Sequence, residues 1–232
     1  MARFQYVRIG TSGWNYPASG YGPWTGVFYS LKQGQTIPGT KQKFDELAYY
    51  AGRFNTVEIN NTFYRPPSAK TAESWAKRTP KGFEFSLKLF QDFTHKREAK
   101  QKDVDVFKCG VDPLADASKL GALLCQFPAS FKLDDASIEY LTWLLKAFKE
   151  YPAAVELRHR PWSDDFGETL KLLNQRHSCR SMSRNSRRQF ARISCPTSRR
   201  FITSGLTGEI GRSGGTMNTK TNATITSIPP LK

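Results

Sequence analysis

Apolar and polar residues alternate along the first three quarters of the chain in two periods, and the periods take turns. Residues 6–10 (Tyr-Val-Arg-Ile-Gly) read as a strand, followed by a loop rich in Gly and Pro over 11–39. Phe44, Leu47, Ala48 and Ala51 share one face at helical spacing, predicting a helix over 44–51. A second strand is predicted over 56–60. Pro66-Pro67-Ser68 marks a turn in which Ser68 is placed to cap a helix running through Trp75. Residues 82–89 alternate in period two and predict a third strand. A weak short helix is expected over 116–119, and a buried strand over 123–127 that Pro128 stops. The clearest helix begins at Asp134, with Ile138, Leu141, Leu144, Leu145 and Phe148 on its apolar face and Pro152 beyond its end. A fifth strand is predicted over 153–158, and Asp164-Asp165 opens a helix through Leu173.

Five strand–helix alternations favour a parallel α/β architecture, either a doubly wound sheet or a TIM-type (β/α)8 barrel. Five units in 175 residues extrapolate to roughly 250–280 residues for eight, the usual barrel size.

The pattern fades at about Gln175, and composition breaks at the same place. Of the 30 Phe, Tyr and Trp residues, only Phe190 and Phe201 lie beyond it. Residues 176–232 carry eleven Lys and Arg against one acid, Glu209, which puts +10 of the chain's net +15 into this stretch and leaves +5 on residues 1–175. The chain therefore divides into a partial barrel-like domain over 1–175 and a basic, Ser/Thr/Arg-rich tail over 176–232, which is expected to be non-native and disordered because it buries too little to offset its chain entropy. The whole chain has 232 residues, 38% hydrophobic, with no apolar run long enough for a membrane span and no apolar signal segment behind Arg3. Four cysteines do not make a disulfide scaffold in a chain of this length. A cytoplasmic protein with no membrane partner is expected.

In parallel α/β folds the chemistry gathers at the C-terminal ends of the strands, and unusual residues cluster there. Gly10-Thr11-Ser12-Gly13-Trp14 follows the first strand, and Glu58-Ile59-Asn60 leads from the second to Tyr64. Lys88 ends the third, with Asp92 and His95 after it; Gln126-Phe127-Pro128 ends the fourth; Glu156-Leu157-Arg158-His159-Arg160-Pro161-Trp162 ends the fifth. Glu58 and Asn60 share a face of their strand, as do Glu156 and Arg158. A glutamate in mid-strand is costly to bury unless it is paired or functional.

One reading makes Glu58 or Glu156 an acid or base, with Lys88 and Arg158 holding an anionic group and Trp14, Asn60, Tyr64, Gln126 and Trp162 lining the site. The other makes the charges ion pairs that line a barrel interior, with Trp14 and Trp162 simply packing and His95 and His159 structural. His159 alternates away from Arg158, which points it outward. No His-x-x-x-His, Cys-x-x-Cys or carboxylate cluster stands at ligand spacing, so no metal is expected. There is no phosphate loop and no GxGxxG, and no cofactor is identified. Thr11-Ser12-Gly13 offers a weak backbone cradle for an anion.

Five of these motifs, in order, resemble one family: Ile9-Gly10-Thr11-Ser12-Gly13-Trp14, the run Val57 to Tyr64, the Phe85–Lys88 strand, Gln126-Phe127-Pro128, and Val155 to His159 with Pro161-Trp162. The chain is similar over residues 6–175 to the family called domain of unknown function 72, the YecE-like proteins. The resemblance implies a TIM-barrel-like fold with a polar site at these strand ends, and it implies no reaction. It also implies three further strand–helix units, with a late His-Gly-Arg-Asn motif, paired tryptophans and an acidic stretch, and the tail as written has none of these.

Shifted by one nucleotide, however, the residues from Gln175 onward back-translate, with permissible codons, to a string that contains HGRN, then WW, then an acidic stretch. The adjacent Gly214 and Gly215 supply the two GG pairs that end the tryptophan codons. A frame break near codon 175 is therefore the leading reading of the tail. The alternative is a nucleic-acid-binding arm centred on Ser181 to Arg188, electrostatic but without aromatics for base stacking.

For function, the sequence leaves three expectations open: an enzyme acting on a small polar or anionic molecule, a ligand-binding barrel without chemistry, or a non-functional frame-shifted product. In the last case the fifth strand would leave an open edge and the chain would be poorly soluble or molten. The sequence does not fix the oligomeric state.

Overall fold

The computed structural model describes residues 8–15, 24–164, 167, 169, 180–182 and 191–194. Its centre is a sheet in which β1 (Thr56–Ile59), β2 (Glu84–Lys88), β3 (Leu120–Gln126) and β4 (Ala153–Leu157) lie side by side and parallel. A parallel neighbour requires a crossover. Three helices supply these: α2 (Ala69–Lys77), α3 (Gln101–Asp116) and α4 (Asp135–Ala147), after a short α1 (Glu46–Ala51). This parallel α/β arrangement is compatible with the first part of a (β/α)8 barrel, which the described residues do not close.

Side-chain alternation divides the sheet into two unlike faces. Val57, Ile59, Phe85, Leu87, Leu123, Cys125, Val155 and Leu157 all join the main hydrophobic core. The opposite face carries Glu58, then Glu84, Ser86 and Lys88, then Gln126, then Glu156, with only Ala122 and Leu124 as apolar relief on β3. The period-two pattern of β2 does not mark a solvent face, because Glu84 and Ser86 are both buried. It marks an inner, polar face of the sheet. Glu84 is tolerated at the lower end because Arg8 ion-pairs with it.

The helix starts follow capping chemistry. Ser68 accepts the amide of Thr71 at 3.2 Å to open α2, and Asp134 accepts that of Ser137 at 2.8 Å to open α4. The largest departure from the sequence reading is α3. Only a weak helix over 116–119 was expected there; instead a sixteen-residue helix ends at Asp116. Its buried face is Val104, Phe107, Gly110, Val111 and Leu114, a regular helical stripe masked by a glycine and by Pro113. Gly110 is there because a Cβ at that position would lie 2.1 Å from the carbonyl oxygen of Pro67. Ser118, in the left-handed region at φ 55°, turns the chain out of the helix, and Lys119 then donates to the carbonyls of Ala76 and Thr79 at the end of α2.

The expected first strand runs parallel beside β1 but is irregular, and Tyr6 and Val7 lie outside the described residues. Ile9 and Thr11 carbonyls accept from Asn55 and Glu58, and Gly13 donates to the Glu58 carbonyl at 2.8 Å. The Thr11 amide turns instead to the Tyr50 hydroxyl at 2.8 Å, which interrupts the ladder. A Cβ on Gly10 would stand 2.0 Å from the Thr56 carbonyl oxygen, so only glycine allows this close approach.

After β4, α5 (Pro161–Asp164) starts three residues earlier than predicted, and most of the expected helix through Leu173 lies outside the described residues. Two pieces of the basic stretch are described, β5 (Arg180–Met182) and β6 (Ala191–Ser194). β6 pairs antiparallel with β4, Val155 opposite Ile193, and β5 pairs antiparallel with β6. The edge of β4 is therefore covered, where an open edge was expected, and the covering strand runs opposite to the direction a continuing parallel barrel requires.

Candidate functional site

At the C-terminal ends of the strands the inner face gathers its charges. Glu156 on β4 is 2% exposed. Its Oε1 accepts from Gln126 Nε2 on β3 at 2.9 Å and from Arg158 Nε at 3.1 Å. A buried carboxylate needs such donors, since its desolvation is otherwise uncompensated. Arg158 keeps about a third of its side chain open to solvent. On the other side, Glu58 accepts from Ser12 Oγ at 3.2 Å, and Asn60 Nδ2 donates to the same Ser12 oxygen.

Lys88 feels both arrangements, since Glu58, Glu156 and Arg158 all act on its charge. Its ammonium lies 4.7 Å from the centre of the Phe63 ring, a cation–π contact. Local structure places that ring. Thr62, in the 3-10 turn Asn61–Phe63, donates to the carbonyl of Lys88 at 2.6 Å and so pins the turn to the end of β2. His95, in the π-helical turn Asp92–Lys96, packs edge-on against the same ring at 4.8 Å. Its Nδ1 shares a hydrogen bond with the Thr94 hydroxyl at 3.0 Å.

The electrostatics follow from this geometry. Burial lowers the Lys88 pKa below its ordinary value, the Arg158 charge lowers it further, and Glu58 and Glu156 act in the other direction. Burial also lowers the His95 pKa, with the positive charges of Lys88 and Arg158 adding to it.

The structure thus brings together Glu58, Asn60, Lys88, Gln126, Glu156 and Arg158 among the residues predicted from sequence. It corrects others. Trp162 is fully buried, stacked on Phe131 at 5.8 Å and donating from Nε1 to the Phe131 carbonyl at 3.0 Å. It is a core residue and has no free face for a substrate. Trp14 is partly buried and packs edge-on against Trp75. Tyr64 is largely exposed and meets Phe63 at 5.2 Å. The amides of Thr11 and Gly13 are taken by Tyr50 and Glu58, so those two do not form the anion cradle considered for this loop. His159 is half-buried and accepts the Leu133 amide at 3.2 Å, a structural contact. Sequence reasoning missed Ser12 and Phe63 as parts of the group and set His95 aside as structural. Only their position just beyond strand ends could have pointed to them. Among the described residues no group of three or more His, Cys, Asp or Glu is placed to hold a metal ion. No helix among them is long and apolar enough to cross a membrane.

Comparison with known proteins bears on both fold and group. The family described as protein of unknown function DUF72 matches residues 8–206, continuing past Gln175, where the motif resemblance stops. The UPF0759 protein YunF of Bacillus subtilis (strain 168) is 32% identical over 162 residues, which cover 67% of this chain and 52% of that protein. A crystal structure of a DUF72 family protein from Enterococcus faecalis V583 superposes with a TM-score of 0.58 at 21% identity, covering 74% of this chain and 58% of that one. One from Thermotoga maritima MSB8 gives 0.55 at 32% identity, covering 73% and 62%. The chain spans about half the length of the curated relative and about three fifths of the solved structures. With its four parallel strands, its strand-end motifs and this match over most of its length, the chain belongs to the DUF72 family of proteins of unknown function.

Proposed function

We propose that the strand ends form the site of a cytoplasmic enzyme acting on a small anionic molecule. Arg158 and Lys88 hold the anion, and Glu58 serves as acid or base. The observation that carries this reading is the presence of two cations at one set of strand ends, where Lys88 is half-buried and feels the positive charge of Arg158 as well as the charges of Glu58 and Glu156. Like charges held together in a partly desolvated place are costly, and an anion between them relieves that cost. Glu156 is occupied by Gln126 and Arg158 and acts as the positioning residue for the guanidinium. Glu58, half-buried and bonded to the small hydroxyl of Ser12, is the carboxylate with room to exchange a proton. A thermal-shift series with inorganic phosphate and small carboxylates tests the reading. Stabilisation by a member of the series, lost in Arg158→Ala, is the expected result. No stabilisation by any of them overturns it.

A second reading, favoured by the antiparallel seating of β6 on β4, is that the written tail replaces the family's own later units and the chain is a non-functional product of a frame break. The family match reaching residue 206 in the written frame argues the other way. The nucleotide sequence through codon 175 decides between them.

A further inference from the structure

We propose that Lys88 is an imine-forming lysine and that the anion held by Arg158 belongs to a small carbonyl compound, a 2-oxo acid or an acidic aldehyde. This rests on the anion-binding reading and adds a covalent step to it.

Three features of the geometry converge on Lys88. It closes a parallel strand on the inner face, where strand-end residues meet a ligand. Among the described residues its ammonium donates no hydrogen bond and forms no ion pair, although two carboxylates and a guanidinium act on it from a distance. A lysine kept only to bind charge would be expected to sit against one of those carboxylates, as Lys108 does against Glu150 at 3.0 Å elsewhere on the molecule. Its ammonium lies over the face of Phe63, an apolar surface that offers it no carboxylate oxygen as a hydrogen-bond acceptor. An amine becomes a nucleophile when it loses its proton, and desolvation beside a second cation promotes that loss.

The step balances with groups already present. The neutral Nζ of Lys88 adds its lone pair to the carbonyl carbon, and the carbonyl π pair moves to oxygen, which takes up a proton. The carbinolamine then expels that oxygen as water after a second proton arrives, and the nitrogen gives up its two protons as the C=N bond forms. The net change is amine plus carbonyl to imine plus water. His95, held against the same Phe63 ring, and Glu58 are the groups available to carry the protons. Arg158 fixes the carboxylate of the carbonyl compound.

Reductive trapping tests the step. The full chain is treated with glyoxylate and cyanoborohydride at neutral pH, and the rate of carboxymethylation is mapped for each lysine. Lys88 is expected to react faster than exposed Lys77 in the same molecule, since a lowered pKa leaves more free amine at neutral pH. The advantage should vanish in denaturant, and inorganic phosphate should slow labelling at Lys88 only. A Lys88 rate equal to that of Lys77 overturns the imine assignment. If phosphate still stabilises the protein in that case, the anion site stands without the covalent step; if it does not, both readings fall. Because Lys77 is an internal reference in the same folded chain, the comparison needs no variant.

Discussion

Gln126 on β3 reaches across to Glu156 on β4 and gives its amide hydrogen to Oε1 at 2.9 Å. This bond joins two strands through a carboxylate that has almost no access to water. Replacing Gln126 by Leu leaves the carboxylate short of a donor, which costs about 1–3 kcal/mol. Urea unfolding of Gln126→Leu is expected to show that loss, together with weaker binding of any anion that Arg158 holds.

Burial, together with the charges on Lys88 and Arg158, gives His95 a predictable titration. Its folded pKa lies below the ordinary 6.5, so the unfolded chain binds more protons in the interval between the two values. Stability from this group is therefore present above 6.5 and is lost as pH falls through that interval toward the folded value. Lys88→Met removes one of the two positive neighbours while burial remains. An NMR titration of the His95 ring should move upward in Lys88→Met without reaching the ordinary value.

Gly110 meets the Pro67 carbonyl across the packing of α3 against the loop before α2, with 2.1 Å available for a Cβ. Gly110→Ala cannot be accommodated without shifting backbone. A loss of about 1–3 kcal/mol, read as a lower Tm, is expected despite the better helix propensity of Ala.

Trp162 separates a core role from a binding role. Trp162→Ala should cost about 3–5 kcal/mol by emptying the space beside Phe131. Trp162→Phe keeps a ring there, and its anion binding should match that of the parent protein once both are folded.

The two described cysteines differ in reactivity. Burial pushes the Cys125 thiol up to about 12, while Cys109 is exposed. Alkylation with peptide mapping should modify Cys109 in the native chain and reach Cys125 only on unfolding.

Elements whose signal is local were legible in the sequence. Ser68 and Asp134 announce the starts of α2 and α4 because a cap is a bond between residues three apart. The charged strand ends were legible because a mid-strand glutamate needs a reason to be there. What stayed hidden depends on tertiary contact. Gly110 and Pro113 look like helix breakers until Pro67 is seen against the glycine, and the Trp162 ring reads as available until Phe131 is stacked on it. Phe63 matters only because Thr62 ties its turn to Lys88, a contact between residues 26 apart in sequence.

The direction of β6 has a consequence for where the chain is delivered. Every parallel strand, β1 to β4, hands its continuation to the rim that carries Lys88 and Arg158. β6 descends beside β4, with Ala191 opposite Leu157 and Ser194 opposite Ala154, so its Ser194 end lies at the opposite rim. Ala191, not Ser194, is the end of β6 that lies level with the C-terminal end of β4. In a sheet built this way the polarity of one strand decides which of its own ends stands at the charged rim.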